Sequence, residues 1–180
     1  MSPPQVCIAR NPKDVAVSLF KHTTTIPAHH YTGAWEAFLP LFLAGSVCGG
    51  SWADHTLGWW RASQSGPHQN QIFWIYFEEL KRDPAPVVQA LAAFLGVACD
   101  AATVAKVVHA SSFAAMAEST AAKGGGSAEA TSRFANGGRA GGWSKLFTAA
   151  QSAAMDAWYA AQVTEATAPG LRFDFGNDPY

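Results

Sequence analysis

The order of apolar and polar positions predicts strands that alternate with helices. Gln5 to Ala9 is a short apolar run with β-branched residues, which is typical of a strand. After it, Asn11 can cap a helix, Pro12 suits the first helical position, and Asp14 can reach back to complete the cap. Apolar residues then recur at helical spacing from Val15 to Phe20. This stretch predicts a strand, a tight turn and a helix.

The rest of the chain continues the alternation. Gln71 to Phe77 is continuously apolar and aromatic, as expected of a strand covered on both faces. Lys123 to Gly142 is rich in glycine and predicts a loop, and Leu171 to Phe175 is either a short last strand or an extended tail. Further helices are predicted from Trp35 to Ala44, from Asp83-Pro84 to Gly96, from Asp100 to His109, after Ser111 or Ser112, and from Thr148 to about Val163. The pattern predicts an α/β fold with a mostly parallel sheet and flanking helices.

Composition and charge exclude several classes of protein. The length of 180 residues is consistent with one domain, residues 1–180. The net charge of −1 provides no positive field that would hold nucleic acid or an anionic membrane. The longest apolar stretch, Ala37 to Cys48, is shorter than the about 20 residues of a spanning helix, and no secretory signal is visible. We therefore expect a cytoplasmic protein that binds neither nucleic acid nor membrane.

Arg10 and Ser18 are the strongest candidates for a ligand site. Arg10 follows the first strand, at the sheet edge where ligands bind in open α/β folds, and Ser18 lies about two turns into the next helix. An anion near this helix N-terminus would meet backbone N–H groups, a guanidinium and a hydroxyl. The alternative is that Arg10 pairs with Asp14 and that Ser18 is an ordinary helix residue.

The other candidate sites have less specific sequence signals. The glycine-rich loop could cradle a phosphate beside Arg133 and Arg139, although glycine runs are usually flexible linkers. Glu78 and Glu79 could act as a general base, but a solvated strand end is the simpler interpretation. The three cysteines and six histidines have no metal-ligand spacing, so no metal is expected.

A series of ordered motifs runs along the chain. It begins with Arg10 to Ser18 (RNPKDVAVS) and continues with Gly33 to Leu39 (GAWEAFL) and Phe77 to Pro84 (FEELKRDP). It also includes Gly50 to His55, Trp59-Trp60, Phe94 to Gly96, Ser112-Phe113 with Met116, Gly141 to Trp143, and Phe147-Thr148. Together these motifs resemble the cytosolic sulfotransferase family over nearly the whole chain. The resemblance implies a sulfotransferase fold of the P-loop-containing nucleoside triphosphate hydrolase type.

The resemblance also implies an activity and a cofactor. Members of the family transfer sulfonate from 3′-phosphoadenosine 5′-phosphosulfate (PAPS) to a small-molecule hydroxyl or amine acceptor, leaving adenosine 3′,5′-bisphosphate (PAP). Their first-motif Arg and Ser hold the 3′-phosphate, which implies that role for Arg10 and Ser18. The family's Arg-Lys-Gly before the conserved Trp falls on Asn136, Gly137 and Gly138. Only Gly138 remains of it, and Arg139 or Arg133 is the candidate replacement for the lost cations.

The adenine and sugar of the nucleotide are implied to lie against a second group of residues. Ser111, Ser112, Phe113 and Met116 fall on the family segment that surrounds them. Phe77 stands where relatives usually have a Tyr, so the resemblance implies that stacking is kept while the hydroxyl's hydrogen bond is lost.

The resemblance implies that this chain has no counterparts of the family's reaction-centre residues. The family places its Lys-containing 5′-phosphosulfate loop and its catalytic His before the Arg10 motif, and the sequence has no counterpart of either, so we assign no catalytic residue. We expect an N-terminally truncated sulfotransferase domain, lacking the phosphate-loop part of the fold. A non-catalytic nucleotide-binding or interaction protein on the same scaffold, or an alanine-rich structural module without a ligand, are the alternatives.

The family's dimer motif is also altered. Its Lys-x-x-x-Thr-Val-x-x-x-Glu falls on Ser144, Thr148, Ala149 and Ala153, so the Lys and the Glu are both lost. The resemblance therefore implies no dimer by that route.

Overall fold

A computed structural model describes residues 3–26, 29–122 and 140–176. Two parallel strands, β1 (Gln5–Ala9) and β2 (Ile72–Tyr76), pair in register, with Gln5 opposite Ile72 and Ala9 opposite Tyr76. The helices of the described residues are α1 (Pro12–Thr25), α2 (Trp35–Leu43), α3 (Trp52–Gln64), α4 (Phe77–Arg82), α5 (Pro84–Phe94), α6 (Ala101–Ala110), α7 (Phe113–Ala122) and α8 (Ala149–Gln162). Short 3₁₀ helices cover Gln69–Gln71 and Gly142–Lys145. The predicted α/β fold with a parallel sheet and flanking helices is confirmed.

Two segments differ from the sequence-based prediction, and a third follows one of its two alternatives. The second strand is shorter than Gln71 to Phe77, because a 3₁₀ turn ends at Gln71 and Phe77 opens α4. Two acidic residues in the first turn of α4 favour this early helix start, since they face the positive end of its dipole. Gly142 begins a 3₁₀ helix rather than closing the loop, and residues 123–139 of the predicted loop lie outside the described residues. Leu171 to Phe175 forms no strand.

The cap of α1 forms as the sequence predicts. The Asn11 Oδ1 atom accepts a hydrogen bond from the Asp14 backbone N–H at 2.9 Å. Asp14 reaches back to the Asn11 side chain, whose Nδ2 donates to Asp14 Oδ2 at 3.0 Å, instead of to the Asn11 backbone. That backbone N–H donates to Glu78 Oε1 at 2.8 Å, which ties the start of α1 to the start of α4.

The hydrophobic core lies between α1, α2, α3 and α8. Phe38 and Phe42 of α2 and Met155 of α8 are fully buried, and Trp35, Trp52 and Trp60 pack with them. The Trp52 indole N–H donates to the Arg10 carbonyl at 3.2 Å. The core therefore fixes the backbone at the carboxyl end of β1.

One side of β1 is exposed. Val6 and Ile8 project from the same face of the strand and are 45% and 55% exposed. Within the described residues, β1 pairs with β2 alone. The sheet thus presents an apolar surface on its β1 side.

Candidate functional site

The parallel pairing of β1 and β2 brings Arg10 and Phe77 together. Each follows its strand at the same edge of the sheet, although they are 67 positions apart in the sequence. The Arg10 guanidinium carbon lies 4.4 Å from the centroid of the Phe77 ring, at a distance typical of a cation–π contact. The Arg10 side chain is 17% exposed, so the contact holds it at the rim of the sheet with one side open to solvent.

Arg10 and Ser18 both line one cavity. The cavity has a volume of about 490 Å³ and lies along α1, with α3 on its other side. Its wall is mixed, combining apolar side chains with hydroxyl, thiol and imidazole groups. The further lining residues are Val15, Leu19, His22, Phe42, Cys48, Gly49, Gly50, Ser51, Trp52 and His55. The structure therefore joins the two sequence-predicted residues on a surface large enough for part of a nucleotide.

Asp14 is a buried acceptor that the sequence analysis considered as part of a helix cap and as an alternative partner of Arg10. Its side chain is 2% exposed, and its Oδ2 atom lies 3.2 Å from an Arg10 Nη atom. The Arg10–Asp14 ion pair, which was the alternative interpretation of the sequence, is thus present. The same carboxylate accepts from the backbone N–H of Gly141 at 2.8 Å and of Trp143 at 3.0 Å. Asp14 therefore joins Arg10 to residues that are 127 and 129 positions from it in the chain.

Glu78 is buried, so the expectation that it lies at a solvated strand end is wrong. The residue is 1% exposed, and its Oε1 atom accepts from both the backbone and the side-chain N–H of Asn11. The early start of α4 turns Glu78 inward, toward donors at the N-terminus of α1, while Glu79 stays exposed. Desolvation raises the pKa of Glu78, and the hydrogen bonds from Asn11 and the charge of Arg10 oppose this rise in part. This position cannot serve as a solvent-facing base.

The residues expected around adenine lie at the turn from α6 to α7. Ser111 donates from Oγ to the Val107 carbonyl at 2.8 Å and closes α6, whereas Ser112 Oγ accepts from the Ala115 N–H and caps α7. Phe113 is half-buried and Met116 is exposed. None of the four lines the cavity of Arg10 and Ser18.

Three of the candidate residues, Gly138, Arg139 and Arg133, lie outside the described residues. Within the described ranges, no three His, Cys, Asp or Glu side chains are grouped so that they could hold a metal ion. No helix in the described part of the chain is long and apolar enough to cross a membrane.

Comparison with known proteins identifies one family. Residues 5–167 match the family model of the sulfotransferase domain. The chain is 34% identical over 160 residues to Sulfotransferase 1A1 of Bos taurus and 33% identical over 167 residues to Sulfotransferase 1B1 of Mus musculus. These matches cover 86% and 90% of this chain but 53% and 54% of the relatives. The chain therefore spans about half the length of the curated relatives it matches.

Solved structures share the fold. Mouse sulfotransferase SULT7A1, crystallised with PAP, is 31% identical, with a TM-score of 0.77 over 89% of this chain and 58% of its own. Retinol dehydratase in a complex with retinol and PAP has a TM-score of 0.79 at 19% identity, over 95% of this chain and 50% of its own. The second likeness shows the fold alone.

Proposed function

This chain belongs to the sulfotransferase family, and we propose that it binds the 3′-phosphoadenosine end of PAPS. The observation that carries the proposal is the position of Arg10 and Ser18 on one cavity, at the carboxyl end of β1 and along α1. The presence of PAP in the structure of the SULT7A1 relative supports it. PAP would be the product left after the sulfonate is transferred.

The chemistry of the cavity suits a phosphate. The guanidinium of Arg10 offers charged N–H donors, and the Ser18 hydroxyl offers another. The expected backbone donors at the start of α1 are already used, since the Asn11 N–H donates to Glu78 and the Asp14 N–H donates to the Asn11 side chain. The Phe77 ring, which Arg10 covers, supplies a flat apolar surface next to this phosphate site. Ser111, Ser112, Phe113 and Met116 are proposed to contact adenine and sugar, and Gly138 and Arg139 to approach the 3′-phosphate.

The apolar side of the cavity fits part of an acceptor pocket. Val15, Leu19, Phe42 and Trp52 form this side, next to the proposed phosphate site. Apolar walls with a few polar groups are typical of small-molecule sites. The proposed acceptor is a small molecule with a hydroxyl or amine group, and the protein acts in the cytoplasm without metal and without the family's usual dimer contact.

Sulfonate transfer needs two further contributions. Positive groups must stabilise the bridging oxygen of the donor, and a base must take the acceptor's proton. No residue of this chain is assigned to either task, so residues 1–180 are proposed to hold the nucleotide half of the sulfotransferase site. This division also favours a second candidate, a non-catalytic nucleotide-binding protein on the same scaffold. A polypeptide in which the phosphate-loop part of a relative precedes this chain should transfer sulfonate under the first candidate and not under the second.

The nucleotide site is tested by Arg10→Ala. The substitution should weaken PAP binding by about 1.5–3 kcal/mol, the scale of a charge-assisted hydrogen bond to phosphate. Binding of 5′-AMP, which lacks the 3′-phosphate, should stay nearly unchanged. Isothermal titration calorimetry measures both affinities, and Arg172→Ala is the matched control because that guanidinium is exposed and pairs only at the surface with Glu165. Equal losses for the two nucleotides would contradict the proposal.

A further inference from the structure

We infer that Asp14 is a positioning residue for the 3′-phosphate site: it acts through Arg10, and the backbone of residues 141–143 holds its carboxylate in place. Its carboxylate holds the Arg10 guanidinium and fixes the 141–143 segment against the first turn of α1. This role rests on the proposed function, since the ligand that Arg10 would hold is the one proposed above.

The distribution of hydrogen bonds supports this role. Oδ2 of Asp14 receives Arg10, the Asn11 side chain and the Gly141 backbone, while Oδ1 receives the Trp143 backbone. Three of these four donors are uncharged, and together with Arg10 they stabilise the negative charge of the carboxylate. The ion pair and the Phe77 ring together set the direction of the guanidinium, one at its edge and the other at its face.

The neighbouring residue Lys13 holds the same segment from its other side. The Lys13 ammonium lies 4.3 Å from the centroid of the Trp143 ring and pairs with Asp156 of α8 at 2.6 Å. It also donates to Ser152 Oγ at 2.7 Å, and the residue is buried. Two consecutive residues of α1 thus fix the position of Trp143, one at its backbone and one at its ring.

Gly141 allows this close packing. Its φ is +77°, and a Cβ there would lie 2.9 Å from the Gly176 carbonyl oxygen. The Trp143 indole N–H donates to the Phe175 carbonyl at 2.6 Å, so the C-terminal segment closes over the same point. In this position the 141–143 segment satisfies Asp14, Lys13 and the C-terminal segment together.

Electrostatics and positioning make opposite predictions for Asp14. A carboxylate beside a phosphate-binding arginine repels the phosphate, so on charge alone its neutralisation would tighten PAP binding. If instead Asp14 orients Arg10, the isosteric change Asp14→Asn removes one acceptor oxygen, releases the guanidinium and weakens PAP binding. Because Asn keeps the size of the side chain, the substitution separates these two effects.

The experiment is a double-mutant cycle measured by calorimetry with PAP and 5′-AMP. Asp14→Asn should weaken PAP binding at least tenfold and 5′-AMP binding less than twofold, and Asp14→Asn combined with Arg10→Ala should bind PAP within twofold of Arg10→Ala alone. Circular dichroism melting verifies folding, and Glu165→Gln, at an exposed ion pair, is the control. If Asp14→Asn does not fold, Asp14→Glu is used in its place. It keeps the charge but displaces the carboxylate, and it should likewise reduce the preference for PAP over 5′-AMP.

Each outcome decides between the two proposals. A folded Asp14 variant that keeps or increases the wild-type preference for PAP, or losses that add in the double variant, would overturn the role of Asp14 while the proposed nucleotide site stands. Equal weakening of both nucleotides would reduce Asp14 to a structural residue and overturn the role as well. A wild-type protein that does not prefer PAP to 5′-AMP would overturn both.

Discussion

Glu78 is a carboxyl group with a strongly unequal environment at its two oxygens. Oε1 accepts from Asn11, whereas Oε2 is buried and has no hydrogen-bond partner among the described residues. Burial raises the pKa of Glu78 above its ordinary value of 4.5, so the folded protein binds this proton more tightly than the unfolded chain does. The resulting stabilisation is complete below the unfolded pKa and is lost as the pH rises through the folded pKa.

We expect Glu78→Gln to remove this pH dependence. Gln keeps an acceptor for Asn11 but does not titrate, so its free energy of unfolding should not show the decline that the wild type shows from about pH 4.5 upward. Each unit by which the pKa is raised corresponds to about 1.4 kcal/mol of that decline. Urea unfolding at several pH values between 4 and 8 measures it. Glu79→Gln, at the exposed neighbour, is the control, and an unchanged slope in Glu78→Gln would show that another group carries the titration.

Sequence reasoning singled out Arg10 and Ser18 as candidates because their signal is local. A strand end, a helix start and a recognisable motif all lie within nine consecutive positions. Sequence reasoning missed the burial of Glu78 against Asn11 and the hydrogen bonds that Asp14 accepts from Gly141 and Trp143. These partners lie 67 to 129 positions apart in the sequence. Nothing in the sequence near Asp14 indicates that the N–H groups of Gly141 and Trp143 need an acceptor.

At the scale of secondary structure, α8 depends on the cap at its N-terminus. Thr148 Oγ1 accepts from the Gln151 backbone, and the Gln151 side chain accepts from the Thr148 backbone, as predicted from the sequence. The Gln151 side chain also accepts from the Trp35 indole N–H at 3.1 Å, so the cap joins α8 to α2. The helix carries Met155 into the core and Asp156 to Lys13.

Thr148→Ala should therefore destabilise the protein by about 0.5–2 kcal/mol, the usual cost of losing an N-cap. Urea unfolding measures the loss, with Thr24→Ala as the control because Thr24 is exposed near the end of α1 and its hydroxyl donates to the carbonyls of Phe20 and Lys21 in its own helix. A loss of the same size in both variants would mean that the cap contributes nothing specific.

Helix starts were predictable because capping is local chemistry. Asn11, Asp100 and Thr148 each cap a helix with their own side chain, three residues before the N–H that they bind. The end of β2 was not predictable in the same way. Phe77 is as apolar as the strand before it, and the helix that it opens buries Glu78 against Asn11, which lies 67 positions away in the sequence.

At the scale of the whole molecule, we expect residues 1–180 to be catalytically silent. Electrostatic stabilisation and general base catalysis each contribute a factor of about 10² or more, and no residue of the chain is assigned to either. Assays with PAPS and phenolic or aliphatic alcohols should detect no sulfonate transfer by the purified chain. Turnover by the short chain that Arg10→Ala abolishes would contradict this expectation.

The exposed apolar face of β1 has a consequence for synthesis on the ribosome. β1 is made first among the described elements, but its partner β2 begins 67 positions later, since Gln5 pairs with Ile72. At about 5–20 residues per second, β1 waits roughly 3–13 s for that strand. The donors to Asp14 are made later still, since Gly141 and Trp143 follow it by 127 and 129 positions. During that interval the edge of β1 that will pair with β2 is open beside the exposed Val6 and Ile8, so nascent chains are most exposed to mispairing and most dependent on chaperones before the middle of the chain is made.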